Sequence, residues 1–271
     1  MPRPEPIRES LRVRFRPTTD LWALLVSWIL VTGSLASATY LVGADNGGGY
    51  FIVYGIVTAL VFGMGIPVWW MVWHRGRSIA ELGITTNHLG VSIGLQLVLA
   101  AVQYWQTLAR TGVPQNLRFL PLVALALCIG LFEAVFWRGW MLMRLEESFG
   151  FPPALVVSSG AYALYHVGYG MPWGEMVFLF FIGVMYACIF RVTGSVFILW
   201  PVLQPMGQLV TLLKDGGLEL PQIAALGFGE VLIAMLVLLF IASRHARKSA
   251  SADGPRTRIR GTASSTPEPT H

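Results

Sequence analysis

The sequence predicts an all-α fold: a polytopic transmembrane helical bundle of about eight spans, with both termini cytoplasmic. Three observations carry this. Of 271 residues, 55% are apolar and only 12% are charged, against about 25% charged in an ordinary soluble domain, which excludes a soluble globular enzyme. The apolar residues, with ten Trp, fifteen Phe and ten Met among them, gather in runs of about twenty, the length a helix needs to cross hydrocarbon. The net charge of +5 sits at the ends, where residues 1–20 carry five Arg against three acids and residues 244–271 carry six bases against two acids. The basic balance therefore describes tails, and no nucleic-acid partner is expected.

Taken in order, residues 1–20 form a basic cytoplasmic segment. The first span, 21–42, contains Ala36-Ser37-Ala38, a triplet like a signal-cleavage site; the apolar run continues past it to Leu41 and Val42, so a retained helix is expected. The second, 50–73, gives way to His74-Arg75-Gly76-Arg77 and a mildly amphipathic connector at the membrane interface, where His74 and His88 read as interfacial residues. The third is 88–106, the fourth 119–143, the short fifth 153–169 and the sixth 174–192. The seventh, 195–213, holds Pro201 and Pro205, which are expected to bend it near Gln204 and Gln208. The eighth is 222–243, and the polar, Ser/Thr/Pro-rich stretch 244–271 reads as a disordered cytoplasmic tail. Residues 21–243 thus form a single transmembrane domain. Cys128 and Cys188 lie inside apolar runs without metal-ligand spacing and read as packed thiols.

Eight crossings put both ends on one side, and the distribution of Lys and Arg tests that count. One side receives the five Arg of the N-terminal segment, Arg75, Arg77, Arg138, Arg144, Arg191 and the bases of the tail, sixteen in all, while the other receives only Arg110, Arg118 and Lys214. By the positive-inside rule the richer side is cytoplasmic.

Each ionisable group inside a span needs a reason, because a charge at the bilayer centre costs several kcal/mol. Glu133 and Arg138 lie in the fourth span, His166 in the fifth and Glu230 in the eighth; the seventh adds Gln204 and Gln208. Counting helical rise from the cytoplasmic ends puts Glu133 about 15 Å deep, Gln204 about 14 Å, and His166, Gln208 and Glu230 about 20 Å. Polar groups from four helices at one depth point to a single buried site. Tyr162 and His166, and Gln204 and Gln208, are spaced by four and share helical faces. A carboxylate and an imidazole at similar depth make a general base with a polarising partner. Interhelical hydrogen bonding is the alternative use of such residues.

The segment Phe132-Glu133-Ala134-Val135-Phe136-Trp137-Arg138-Gly139 resembles the first signature, Glu-Glu-x-x-x-Arg, of the CAAX prenyl endopeptidase and bacteriocin-processing family, also called the Abi family. Tyr162-Ala163-Leu164-Tyr165-His166 is similar to the second, Phe-x-x-x-His, and Gln204 to Gln208, after Gly194-Ser195, occupies the place of the third, His-x-x-x-Asn. The resemblance covers about residues 119–213, the protease-like core, and implies an intramembrane endopeptidase in which Glu133 activates water and His166 assists. It also implies a peptide or protein substrate and admits a divalent metal such as zinc. The chain departs from the pattern at Ala134, Gln204 and Gln208. The helical partner of Arg138 is thereby lost, and Glu230 offers a replacement carboxylate from the eighth span. Only Glu133 and His166 remain as conventional metal ligands, fewer than the three usual for catalytic zinc. Glutamine amides can still donate to an oxyanion.

The function expected is therefore cleavage of a peptide bond by Glu133 and His166, with Arg138, Tyr162, Gln204, Gln208 and Glu230 lining or supporting the site. The setting is the lipid bilayer, as an integral protein of the bacterial plasma membrane. A catalytically degenerate scaffold or immunity protein is the first rival. A small-solute transporter is the second, weakened because no inverted repeat is visible.

Overall fold

The computed structural model describes residues 12–43, 45–111, 120–215 and 223–260, and among them the helical elements join into eight rods with no strand. The rods are α1 (Asp20–Val42), α2 (Gly47–His74), α3 (Leu89–Thr111), α4 (Leu120–Phe149), α5 (Phe151–Tyr165), α6 (Trp173–Thr193), α7 (Leu203–Asp215) and α8 (Ile223–Arg260). This is an all-α polytopic bundle. Five of the rods, α1, α2, α4, α6 and the stretch Ile223–Lys248 of α8, are long and apolar enough to cross a membrane.

α4 is the core. Its apolar window is 78% buried, against 22–44% for the other four, and apart from Glu133 and Arg138 its buried middle, Ile129–Leu142, is made of apolar residues and glycine, as a central helix requires. α8, α7 and α5 pack directly on it, α6 packs on α5, α3 on α7, and α1 on α2. Outward faces such as Trp22, Leu25, Val26 and Ile29 on α1 and Phe178 and Phe181 on α6 stay exposed, as lipid-facing surface does. Close packing is tightest at Gly139, where a Cβ would collide with the Leu82 carbonyl. The turn from α4 into α5 uses Gly150 at φ +85°, a conformation that glycine adopts freely, and the Arg12 carbonyl lies where its side chain would be.

Three boundaries differ from those expected of the sequence. α4 runs on to Phe149 instead of stopping at 143, because its charged last turns find partners: Arg144 Nη1 lies 2.7 Å from Glu147, Glu147 lies 3.1 Å from Arg77 Nη1, and Glu146 lies 2.9 Å from Arg191. α8 stays helical to Arg260, through part of the stretch whose composition pointed to disorder. α7 begins only at Leu203, so Pro201 precedes the helix and Pro205 falls in its first turn, where a missing N–H is tolerated. The prolines thus start the seventh helix; they do not bend it.

Among the described residues, Arg75, Arg77, Arg144 and Arg191 pair with acids at one end of the bundle, whereas Arg138 is buried inside it. At that end the backbone N–H groups of Arg14 and Arg16 donate to the carbonyls of Phe149 and Ser148, and Arg75 pairs with the buried Asp20 at 2.6 Å. Trp73, at the end of α2, stacks on His245 of α8 with ring centroids 5.7 Å apart. The C-terminal ends of α2, α4 and α6 therefore lie together, with the stretch of α8 around His245 beside them.

Between α6 and α7 the chain is buried at Ser195, Val196, Ile198 and Leu199 with only a short 3-10 turn, Val196–Ile198, and its remaining backbone groups need partners there. Gln96 of α3, fully buried, supplies them: its amide nitrogen donates to the Phe197 carbonyl at 3.0 Å and its oxygen accepts from the Val202 N–H at 3.0 Å. Trp200 adds a hydrogen bond to the Leu127 carbonyl at 2.9 Å. Gln96→Leu strands these groups and is expected to destabilise the protein by about 2 kcal/mol, read as a lower midpoint of unfolding in detergent. An unchanged midpoint would mean that the connection holds itself.

Candidate active site

A cavity of about 920 Å³ opens among the helices, and Glu133, Tyr162, His166, Gln204, Gln208 and Glu230 all line it. Those six residues come from four helices, α4, α5, α7 and α8, and the turn after α5. Glu133 sits near the middle of α4, about 24 Å along the helix from Phe149, and is 2% exposed. Immediately after it, α4 loosens into wide i→i+5 turns over Ala134–Leu142, a local distortion frequent at functional sites.

The Glu133 carboxylate is held by an amide. Gln204 Nε2 donates to Glu133 Oε2 at 2.7 Å, and Gln208, one turn along α7, lines the same cavity. Because a carboxylate accepts and cannot donate, this bond fixes the orientation of the Gln204 amide. Its Oε1 is then turned away and has no partner among the described residues. The late start of α7 matters here, because both glutamines fall in its first two turns, directly after the segment anchored by Gln96.

His166 is the first residue past α5, in a short turn His166–Tyr169. Its Nδ1 lies 2.8 Å from the Tyr162 carbonyl, an acceptor, so Nδ1 carries the proton. The neutral ring then presents Nε2 as a lone pair. The edges of Tyr162 and Tyr165 pack against it, with centroids 4.9 and 5.1 Å away. The i to i+4 spacing of Tyr162 and His166 thus works through the backbone carbonyl of the tyrosine.

Arg138 lies outside the cavity wall. Because α4 extends to Phe149, Arg138 is about 16 Å from the end of the helix and fully buried. None of its three guanidinium nitrogens has a hydrogen-bond partner among the described residues. The guanidinium rests over the Tyr162 ring, 5.2 Å from its centroid, and interacts electrostatically with Glu133. Glu230 therefore does not replace the carboxylate missing at Ala134; it faces the cavity.

Sequence reasoning missed most of the wall. Tyr50, Tyr54, Tyr104, Tyr169 and Tyr186 line the cavity beside Tyr162. Their hydroxyls bond each other: Tyr54 to Tyr169, Tyr165 to Tyr169 at 2.9 Å and Tyr104 to Tyr186 at 3.2 Å. A tyrosine in mid-span needs a partner for its hydroxyl, and that need was the available signal. The residues present do not fit a catalytic zinc: among the described residues, no three of His, Cys, Asp and Glu come together, whereas three protein ligands are usual.

One comparison bears directly on this site. Residues 114–203 match the family model of the Rce1-like Type II CAAX prenyl endopeptidases. The resemblance read from the motifs is thereby shown. The Rce1-like stretch includes Glu133, Ala134, Arg138, Tyr162 and His166 and ends one residue before Gln204. At the level of that family the chain is similar to CAAX-type intramembrane proteases. No curated protein matches the chain, and no solved structure does.

Proposed function

We propose that the protein is an intramembrane endopeptidase of the CAAX prenyl protease type, cleaving a peptide bond with water activated by Glu133 and assisted by His166. The observation that supports this best is the Glu133–Gln204 pair lining the same cavity as His166, whose Nδ1 is turned to the Tyr162 carbonyl. A water between them donates one hydrogen to Glu133 and the other to His166 Nε2, which aims its lone pair at the substrate carbonyl. As Glu133 takes its proton, the water oxygen bonds to the carbonyl carbon and the carbonyl oxygen becomes an oxyanion. In this scheme the Gln208 amide, which lines the same cavity, donates to it. Collapse breaks the C–N bond, and the proton held by Glu133 passes to the leaving amine, which restores the carboxylate. This scheme uses protein groups alone.

The reading is tested by hydrolysis of membrane peptides by purified protein beside Glu133→Gln, with and without chelator. Cleavage that Glu133→Gln lacks and that chelator leaves unchanged is the expected result. Absence of cleavage by the wild type would favour the second reading, a non-catalytic membrane scaffold or immunity protein, which the loss of Glu at 134 and the unpaired Arg138 support.

We further propose that both termini face the cytoplasm, the bacterial plasma membrane being the setting. The support is the distribution of bases and the meeting of Arg75, Arg77, Arg144 and Arg191 at one end of the bundle. Epitope tags at the two ends should be reached only from the cytoplasmic side; labelling of either tag in intact cells would overturn the orientation.

A further inference from the structure

We propose that the cavity takes its substrate from the extracytoplasmic side of the membrane, the substrate being an apolar segment of an exported or membrane-anchored polypeptide; the proposal rests on the endopeptidase reading and on the orientation given above. The basic end of the bundle is marked by the ion pairs of Arg75, Arg77, Arg144 and Arg191 and by Trp73 stacked on His245. The cavity lies away from that end. On α2 its lining comes from residues 47–54, at the start of the helix, and on α8 from residues 223–230, again at the start. Glu230 precedes His245 by fifteen residues, about 22 Å of helix. On α4 the lining residues are Leu125, Ile129 and Glu133, all in its first half.

Exposure along the lining agrees. Among the described residues that line the cavity, those exposed are Gly47, Gly48, Phe178, Ile223, Leu226 and Glu230, and all fall in the first two turns of α2, α6 and α8. Toward the basic end the way is filled: past Glu133 no residue of α4 lines the cavity, and Phe136, Trp137 and Trp140, in the next turns, are fully buried. The rim therefore sits at the end opposite the bases, and the positive-inside rule makes the basic end cytoplasmic. Phe178, Ile223 and Leu226 on the rim, with Tyr50 and Phe51 beside them, give an entering chain an apolar and aromatic wall, so apolar side chains gain by leaving water for it. Glu133 lies about 20 Å along α4 from Leu120, a distance that about six extended residues cover. A short extended segment thus reaches the carboxylate from outside.

The test uses the full-length chain in bacterial spheroplasts, with Cys128 and Cys188 replaced by alanine and single cysteines introduced. Gly48→Cys puts a thiol on the rim, where an added Cβ meets nothing within 4 Å; Thr86→Cys puts one in the exposed connector that follows α2 at the basic end. A membrane-impermeant maleimide added outside should label Gly48→Cys in intact spheroplasts and Thr86→Cys only after permeabilisation. Labelling of Gly48→Cys only after permeabilisation overturns the proposal. The substrate probe is a short apolar peptide with a charged, impermeant tag and a photo-crosslinking side chain. Added outside, it should be cleaved by the wild type and should crosslink to Glu133→Gln, a capture that needs no hydrolysis. A bulky maleimide on Gly48→Cys should abolish both. Crosslinking from outside that this block removes upholds the outward entrance even where the purified wild type cleaves nothing, a result that instead removes the endopeptidase reading. Cleavage or crosslinking confined to permeabilised spheroplasts overturns it.

Discussion

Glu133→Gln should lower the rate of peptide hydrolysis by roughly 10²- to 10⁴-fold while the protein keeps its fold. Glutamine matches the volume of glutamate and retains one oxygen that can accept from Gln204 Nε2, so the 2.7 Å link between α4 and α7 has a successor. What disappears is the basic oxygen that takes the proton of the water. Stability should change little, because an uncharged group replaces a carboxylate that is buried at considerable desolvation cost. His166→Ala should lose activity on the same scale, since it removes the second acceptor on the water. The double variant should be scarcely worse than either single one, as expected of groups that act on one water as a unit. Rates are measured in purified protein beside the unfolding midpoint of each variant. A fully active Glu133→Gln or His166→Ala protein, equally folded, removes that residue from the mechanism.

The parts of this architecture that were legible in the sequence depend on composition and on short-range spacing. A bilayer demands apolar runs of fixed length, so a helical rod stands at each expected span, five of them long and apolar enough to cross, and Glu133 falls on the expected helix while His166 comes just past the end of its own. The failures are tertiary. The sequence offered no reason for α4 to continue through Arg144, Glu146 and Glu147, because the cations that neutralise those acids, Arg77 and Arg191, lie on other connections. Gln96 was passed over because its partners, Phe197 and Val202, are about a hundred residues away and become available only where the chain abandons helical bonding. The bend expected at Pro201 and Pro205 does not occur, because proline fits a helix start as well as a bend, and periodicity does not separate the two. The tyrosine wall was invisible for a similar reason: each ring alone reads as core, and the cavity exists only where several spans meet.

Arg138→Met is expected to raise stability and lower activity together. Burying a guanidinium costs several kcal/mol, a cost offset only by well-placed partners. The helical partner position, four residues earlier, is Ala134, and the three guanidinium nitrogens make no hydrogen bond among the described residues. The face of Tyr162 returns about 0.5–2 kcal/mol, and the charge of Glu133 adds an attraction. Methionine keeps the apolar stem and removes the charge, so a gain of about 1–4 kcal/mol is expected, the range seen when buried ionic groups give way to apolar ones of similar size. Activity should fall, because the same substitution removes a cation whose attraction steadies the Glu133 carboxylate. Ala134→Glu completes a double-mutant cycle: the added carboxylate should be less destabilising beside Arg138 than in the Arg138→Met background, since only in the first case does it find its ion pair. Unfolding midpoints of the four proteins give the coupling directly. If Arg138→Met lowers stability by more than about 1 kcal/mol, Arg138 must be gaining more from Tyr162 and Glu133 than its burial costs, and the missing glutamate at position 134 has been compensated after all.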